Sequence, residues 1–225
     1  MKQTRYTLRA LARLLSYPDE QLRSELDLLV DAIDQEATLP ATRRAELRAL
    51  VTGLQRQDPM EAESRYVETF DRGRATSLHL FEHVHGDSRD RGPAMIDLAQ
   101  TYEKAGLFLS PDELPDHLCV VLEFASTQPP QLAKSFLGEM AHILNSIFSA
   151  LLQRESSYAA VIAAVLEMAG EKPQAVSITQ DEPMDESWAE PQAFDGCSTR
   201  GQARPGEAQP IHIVRPSRSA ERAAT

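Results

Sequence analysis

Apolar residues recur every three or four positions through most of the first 170 residues, and this period is the strongest constraint on the fold. It places apolar side chains on one face of an α-helix, whereas a half-buried strand needs a period of two, which no segment shows clearly. The stripes are Leu8, Leu11 and Leu15; Leu22, Leu26, Leu29 and Ile33; Leu47, Leu50 and Leu54; Ala62, Tyr66 and Phe70; Met95, Leu98, Tyr102 and Ala105; Leu118, Val121, Leu122 and Ala125; Leu137, Met140, Leu144, Ile147 and Leu151; and Tyr158, Ile162, Val165 and Ala169. We therefore predict an all-α fold, a single compact domain of about eight or nine helices.

Proline, glycine and capping residues predict where the helices begin and end. Asp58 is typical of an N-terminal cap, with Glu61 reaching back to it in a capping box, and residues 110–113 repeat this pattern. The proline pair at 129–130 is predicted to open the longest helix, because proline is tolerated in a first helical turn. Gly170 is predicted to end the last helix, since glycine readily adopts the left-handed conformation found there.

The composition changes near Lys172. Residues 173–225 contain six prolines and no helical stripe, with an acidic part first and an arginine-bearing part after it. A segment with so few apolar residues cannot bury enough surface to offset the entropy that it would lose on ordering. We therefore predict two regions, an all-helical domain over residues 1–171 and a disordered tail over residues 172–225.

The net charge and the cysteines argue against several classes of partner and site. A formal charge of -11 and a pI near 5.0 disfavour nucleic acid or an anionic membrane surface as the main partner. Cys119 and Cys197 provide neither a disulfide framework nor a thiolate metal cluster, as expected in a reducing compartment. Arg9 and Arg13 interrupt the apolar run that a signal peptide needs, and no run approaches the roughly 18 apolar residues of a membrane span. We expect a cytoplasmic protein without direct membrane insertion.

Residues 66–92 concentrate residue types that packing alone would not require. Three of the chain's six histidines lie here, together with four arginines. Such a segment suits a groove for an amphipathic helix or an extended peptide, and the acidic surface favours a basic peptide. The apolar anchors would be Phe70, Leu78, Phe81 and Met95, and the polar contacts Arg72, Arg74, Arg89 and Arg91. The spacing fits equally well with the alternative that these aromatics are ordinary core and the charges an ordinary loop.

The segment from His79 to His83 also matches H-x-x-E-H, the inverted zinc-peptidase pattern. Histidines at i and i+4 share a helix face and can both bind zinc, with Glu82 beside them as general base. Gly86 follows the motif closely, however, and nothing in the sequence marks a third ligand. A metal site of His79, His83 and His85 without catalysis is a second interpretation. We expect no enzyme, metal site or cofactor, because histidines at a helix end more often bond carbonyls or carboxylates.

Several segments together resemble a known protein family. The helix at residues 66–70, followed by SLHLFEHVHGDSRDRG and by AMIDL at residues 94–98, resembles the NarJ/NarW branch of the TorD/DmsD family. The earlier LxxLLSYPDE and the later ELPDHLCVVLEF are similar to that branch as well. The resemblance covers roughly residues 5–170 and implies an all-helical fold without catalytic activity. It also implies a dedicated assembly chaperone of molybdoenzymes, whose partner is the apo form of the catalytic alpha subunit of respiratory nitrate reductase.

The resemblance further implies how that partner is bound. Such a chaperone binds the subunit's N-terminal peptide, a remnant of a twin-arginine signal, and holds the subunit in the cytoplasm until the molybdenum cofactor is inserted and the membrane anchor is engaged. The positions that match the family are Tyr66, Phe70, Asp71, Leu78, Phe81, Glu82, His83, His85, Gly86, Arg89, Arg91 and Gly92, to which the residue pattern adds Arg72 and Met95. A relative that serves another molybdoenzyme, such as a selenate or chlorate reductase, is the alternative.

The matched residues have distinct expected roles. Apolar side chains hold the helical face of the peptide, and Glu82 meets its basic residues. His83 and His85 make the affinity depend on pH, because histidine titrates near neutrality. We expect a monomer or a weak dimer.

Overall fold

The computed structural model describes residues 4–86, 88–111 and 113–177. Its helices are α1 (Arg5–Leu14), α2 (Glu20–Glu36), α3 (Ala41–Arg56), α4 (Pro59–Phe70), α5 (Leu80–His85), α6 (Arg91–Lys104), α7 (Leu118–Thr127), α8 (Pro130–Glu139), α9 (Ala141–Gln153) and α10 (Ala159–Ala169), with one 3₁₀ turn at Arg74–Thr76. The all-α prediction is confirmed, with ten helices in these ranges rather than the predicted eight or nine. The tail from residue 178 onward lies outside the described residues, and its disorder stays a prediction.

The core forms around α10, an apolar helix that packs against α3, α8 and α9. Most of its residues between Ala159 and Ala169 are buried, on several sides of the helix, as expected for a helix at the centre of a core. Arg43 of α3 and Glu167 of α10 form an ion pair, with Nη2 and Oε1 3.1 Å apart, at the margin of this core. On the other side, α1 packs against α2 and α7. The helices thus enclose one large apolar cluster, beside which a smaller one forms around Tyr102.

The predicted helix ends at Asp58 and Gly170 are confirmed, whereas the capping box predicted at Asp58 forms only in part. Asp58 caps α4, because its Oδ1 accepts hydrogen bonds from the Met60 and Glu61 amides. The Glu61 carboxylate instead pairs with Arg65 one turn later. The bond from Glu61 back to the Asp58 amide, which would complete the capping box, is not among the hydrogen bonds of the described residues. Gly170 ends α10 with a φ of 81°.

Residues 110–113 open no helix, contrary to the prediction. The Ser110 amide donates to Glu113 Oε2, and the Glu113 amide donates back to the Ser110 carbonyl, which closes a turn. Asp112, the middle acid of this pattern, lies outside the described residues. Pro115 follows two residues later and interrupts any helix that started here. The next helix therefore begins only at Leu118.

The longest predicted helix, from residue 130 to about 151, is instead two helices. α8 and α9 meet at Met140 with a bend of 67°. Both helices pack against α10, whereas one straight helix of that length, about 33 Å, would run past it. No single helix in the described ranges is long and apolar enough to cross a membrane. The bent pair of α8 and α9 reaches the required length and apolar content only when the two helices are counted as one. Among the described residues the longest helix is α2, with 17 residues.

Candidate functional site

The short helix α5 is held in place by the segment that precedes α7. The Leu118 amide donates to the Leu78 carbonyl at 2.9 Å, and the Leu80 amide donates to the Asp116 carbonyl at 3.0 Å. These two bonds pair the chain antiparallel around His79 and His117. A six-residue helix has little stability of its own. Its position therefore depends on this backbone pairing and on the side chains beside it.

Asp116 is the centre of the side-chain network at α5. It is fully buried, at 0% exposed, and its Oδ1 lies 3.3 Å from Nδ1 of His79. Its Oδ2 accepts a hydrogen bond from the Phe81 amide at 3.2 Å and lies 3.7 Å from the Arg91 guanidinium. The Phe81 amide is one of the amides that a helix N-terminus leaves unpaired. Asp116 therefore caps α5 from a distant part of the chain.

The pKa values of the two histidines beside Asp116 are shifted in opposite directions. The hydrogen bond to Asp116 raises the pKa of His79, whereas burial, aided by the charge of His79, lowers the pKa of His117. Burial alone would raise the pKa of Asp116, but the hydrogen bond with His79 and the further interactions lower it overall. The imidazole rings are 4.9 Å apart, edge to face. The arrangement favours a charged His79 paired with an ionised Asp116 and a neutral His117.

We expect His79 to make the stability of the protein depend on pH. Because its pKa is raised in the fold, its stabilising contribution is complete below the ordinary histidine value of about 6.5 and is lost as the pH rises through the folded value. The lowered pKa of His117 acts in the other direction, so its contribution is lost as the pH falls below about 6.5. Urea unfolding of the wild type and of His79→Gln between pH 5.5 and pH 8.5 measures the effect. The stability difference between them should shrink as the pH rises, and a difference independent of pH would refute this assignment.

A second set of bonds ties α5 to the start of α6. Ser77 Oγ donates to Glu82 Oε2 at 2.6 Å, and the Arg91 guanidinium donates to Glu82 Oε1 at 3.3 Å. His83 Nε2 lies 2.9 Å from the Ser77 carbonyl oxygen. Since a carbonyl only accepts, Nε2 of His83 carries a proton. Arg91 thus lies between two carboxylates, those of Glu82 and Asp116, and offsets part of their charge.

The H-x-x-E-H residues do not converge on one point. His79 precedes α5 rather than lying on it, and its ring faces Asp116. His83 bonds the Ser77 carbonyl, and Glu82 is held by a serine and an arginine. Within residues 4–177, leaving aside positions 87 and 112, no group of three histidine, cysteine or acidic side chains has an arrangement that would hold a metal ion. The motif has the spacing of zinc ligands, but its side chains bond other groups and do not form a set of metal ligands.

Two of the predicted apolar anchors, Phe70 and Leu78, lie in the core together with the family-matched residue Tyr66. Tyr66, Phe70 and Leu78 are 7%, 5% and 3% exposed. The Tyr66 hydroxyl donates to the Leu15 carbonyl at 2.7 Å, and its ring packs against Phe70 and Tyr158. In this conformation they support the site from beneath and present no surface to a peptide.

Two other predicted anchors, Phe81 and Met95, are half-buried and reach the surface. The Phe81 ring packs edge to face with His85, with centroids 5.6 Å apart. Their neighbours Val84 on α5 and Ile96 on α6 are exposed. We call Phe81, Val84, Met95 and Ile96 the α5–α6 surface. It is the part of the predicted site where apolar side chains are accessible.

The predicted polar residues divide between two places. Arg91, His83 and His85 lie with the α5–α6 surface, but Arg72 lines a separate recess of about 350 Å³ beside Tyr17 and Met60. Asp71, Arg89 and Gly92 are exposed on loops or at a helix start, with no bond to α5 described. The fold therefore places only some of the predicted polar residues at the α5–α6 surface.

Gly86 ends α5 in a conformation that favours glycine. Its φ is 53°, and a Cβ built there would lie 2.2 Å from the Arg74 guanidinium. The predicted polar residue Arg74 thus covers the glycine. The chain can turn here and keep this contact only because position 86 has no side chain.

Asp116 and His117 are residues of this site that the sequence did not predict. They lie in ELPDHLCVVLEF, a segment that carries the family resemblance and the apolar stripe of the following helix but no motif of a site. The available signal was an acid and a histidine between a proline and an apolar helix. Next to them, the Tyr102 hydroxyl donates to the Pro115 carbonyl at 2.9 Å and joins this segment to a smaller apolar cluster of Tyr102, Val120 and Phe124.

Comparison with known proteins shows the family. The model of the nitrate reductase delta subunit family matches residues 36–164. The nitrate reductase molybdenum cofactor assembly chaperone NarJ of Escherichia coli K12 is 42% identical over 82% of this chain and 78% of its own length. The NarW protein of the same strain is 38% identical over 84% of this chain and 78% of its own. These relatives are described by an assembly role and not by a catalysed reaction.

A solved structure supports the fold alone. A redox enzyme maturation protein from Archaeoglobus fulgidus matches with a TM-score of 0.53 and 21% identity, over 76% of this chain and 96% of that protein. The match agrees with the helical fold described above. Because the family model matches more than half of the chain and both relatives are more than 30% identical to it, the chain belongs to the nitrate reductase delta subunit family, which contains the NarJ-type nitrate reductase chaperones.

Proposed function

We propose that this protein is an assembly chaperone for respiratory nitrate reductase. It binds the apo form of the catalytic alpha subunit through the subunit's N-terminal peptide, in the cytoplasm, and assists insertion of the molybdenum cofactor before membrane attachment. Family membership and the names of the relatives support the assembly role. The observation that carries the peptide site is the accessible α5–α6 surface, placed beside a buried carboxylate that fixes α5.

The α5–α6 surface suits one face of an amphipathic helix. Its apolar side chains lie on two neighbouring helices, so a peptide helix with apolar residues at positions i, i+3 and i+7 can pack along them. Phe81 is the aromatic member and is half-buried, which means that its ring is already ordered by its neighbours. An ordered aromatic ring loses little entropy on binding and is the usual kind of anchor.

The charges beside Phe81 support a basic peptide. The carboxylates of Glu82 and Asp116 share the Arg91 guanidinium. Glu82 is partly exposed and keeps acceptor capacity beyond its bonds to Ser77 and Arg91, since a carboxylate accepts about four hydrogen bonds. An arginine or lysine of the peptide can use this capacity. The net charge of the chain steers such a peptide toward the surface.

Coexpression tests the assembly role. Nitrate reductase subunits are produced in cells that lack a chaperone of this type, with this protein or with an empty vector. We expect nitrate reductase activity and molybdenum content of the purified enzyme to rise only with the protein present. An unchanged molybdenum content would contradict the proposal. If the same coexpression activates a selenate or chlorate reductase and not nitrate reductase, that enzyme is the client.

We expect the affinity for the N-terminal peptide to change between about pH 6 and pH 8, because histidines titrate in this range. The double variant His83→Ala with His85→Ala should flatten the change, since the His85 ring contacts Phe81. Calorimetric titration at several pH values measures it, with His79→Gln as the control for the histidine paired to Asp116. If the double variant keeps the full response and His79→Gln loses it, His83 and His85 are structural.

A further inference from the structure

The 3₁₀ turn at Arg74–Thr76 lies between α4 and α5 in the chain and packs against α9. Ser77, which follows the turn, is the residue that binds α5. Its hydroxyl donates to Glu82 and accepts a hydrogen bond from the His79 amide at 3.2 Å. Its carbonyl accepts the hydrogen bond from His83. Because Ser77 is only 6% exposed and makes all three bonds, its position sets the orientation of α5.

Thr76 ties this turn to the end of α4. It is fully buried, and its hydroxyl donates to the Thr69 carbonyl. Thr69 lies in the last turn of α4, where carbonyls have no partner within the helix. The same carbonyl accepts a second hydrogen bond, from Arg154 at 3.3 Å. A carbonyl oxygen has two lone pairs, so both bonds form together.

Arg154 reaches the end of α4 from the end of α9. Its backbone amide donates to the Ala150 carbonyl and closes the last turn of α9, a helix that packs against the core helix α10. Its Nη1 also donates to the Glu68 carbonyl at 3.2 Å. An arginine at a helix C-terminus bonds the free carbonyls and interacts favourably with the helix dipole. Arg154 therefore caps α4 from a helix that the core itself fixes.

Gly73 leaves room for this cap. A Cβ built at Gly73 would overlap the Arg154 guanidinium. The backbone of Gly73 is extended, with a φ of -159°, a conformation that any residue adopts. Glycine at this position therefore serves the close approach of the arginine and not a turn. Arg74 lies across Gly86 in the same way at the C-terminal end of α5.

We propose that Arg154 is a positioning residue for the peptide site. It acts through the hydrogen bonds at Thr69, Thr76 and Ser77, which connect the end of α9 to α5. The Phe81 anchor on α5 binds best when its orientation is fixed before the peptide arrives. This inference rests on the proposed function, because it takes the α5–α6 surface as the site of the N-terminal peptide.

Peptide titration of Arg154→Ala tests the inference, with Arg65→Ala as the matched control. Arg65 is an exposed arginine of α4 that pairs with Glu61 in the same helix, so its removal changes the net charge equally. Losing a positive charge would by itself favour a basic peptide, so a weaker affinity reports position and not charge. We expect the affinity of Arg154→Ala to fall about fivefold and that of Arg65→Ala to stay within about twofold of the wild type.

Amide hydrogen exchange of the free protein shows whether Arg154 acts on α5. The Phe81 and Gly86 amides form hydrogen bonds at the two ends of this short helix, which opens locally without unfolding the core. Both should exchange about five times faster in Arg154→Ala and at the wild-type rate in Arg65→Ala. Exchange at the wild-type rate in Arg154→Ala would mean that the arginine only caps α4, and it would overturn the inference.

Gly73→Ala is an independent variant with the same cause. Its added methyl group displaces the Arg154 guanidinium, so the affinity should fall and exchange in α5 should rise as in Arg154→Ala. In the double variant the second substitution should add less than about twofold, because both changes remove one interaction. Effects that multiply would contradict the shared cause. Urea unfolding of each variant shows whether it is folded.

The exchange measurement needs no peptide, and this separates the inference from the proposed function. If the peptide binds the wild type and Arg154→Ala equally well, the inference is overturned and the proposed function stands. If the wild type does not bind the peptide but α5 exchanges faster in Arg154→Ala, the proposed peptide site is wrong and the positioning of α5 stands.

Discussion

Replacing Phe81 by alanine is expected to weaken binding of the N-terminal peptide by about 30-fold, which corresponds to about 2 kcal/mol. The ring is the aromatic member of the α5–α6 surface, and its contact with His85 holds it in place before the peptide arrives. Truncation removes both the apolar area and the ordered ring. Calorimetric titration of the variant with the synthetic peptide measures the loss.

Leu28→Ala is the matched control for this variant. Leu28 is exposed on α2, a helix that packs against α1 and α3 rather than α5. Its truncation should leave the affinity unchanged. Equal affinities of Phe81→Ala and the wild type would remove α5 from the binding site. Unfolding curves of both variants show whether a loss of affinity comes from a loss of folded protein.

Replacing Asp116 by alanine is expected to lower the free energy of unfolding by about 3 kcal/mol and to abolish peptide binding. The Phe81 amide loses its acceptor and His79 loses its partner, both at a position that is 0% exposed. Without this cap the six-residue helix α5 loses the bond that fixes its first turn. Asp116→Asn keeps an acceptor for the amide but no charge, so it should lie between the alanine variant and the wild type.

Urea unfolding and peptide titration together test the role of Asp116. Glu113→Ala is the control, since Glu113 is an exposed acid three residues earlier whose side chain accepts a hydrogen bond from the Ser110 amide of its own turn. It should change stability by less than about 0.5 kcal/mol. If Asp116→Ala unfolds at the wild-type urea concentration, the buried network does not stabilise α5. If it is destabilised but binds the peptide normally, α5 is held by the backbone pairing alone.

Helical periodicity identifies which residues share a face, but not what covers that face. The stripe of Ala62, Tyr66 and Phe70 correctly predicts α4. The same stripe gave no way to choose between core and a peptide groove, and the structure places Tyr66 and Phe70 against Tyr158 in the core. The packing partner lies some 90 residues away in the sequence. Burial is therefore a property of the fold that a local pattern cannot contain.

The side-chain network at α5 could not be predicted from the sequence for the same reason. Asp116 and Phe81 are 35 positions apart in the chain, and only the antiparallel pairing of the two segments brings them together. The bend at Met140 is another case, because the apolar period continues through it from Leu137 to Leu144. By contrast, the cap at Asp58 depends on neighbours within three residues and was predicted correctly. The same local pattern at residues 110–113 failed, because Pro115 follows it and the segment closes a turn instead.

Calorimetric titration of the wild-type protein with a synthetic peptide from the N-terminus of the nitrate reductase alpha subunit is the most direct test of the central claim. A scrambled peptide of the same composition is the control, and the titration covers pH 6 to pH 8. We predict a micromolar or tighter dissociation constant for the authentic peptide and no binding of the scrambled one. Absence of binding throughout this pH range, or equal binding of both peptides, would contradict the account.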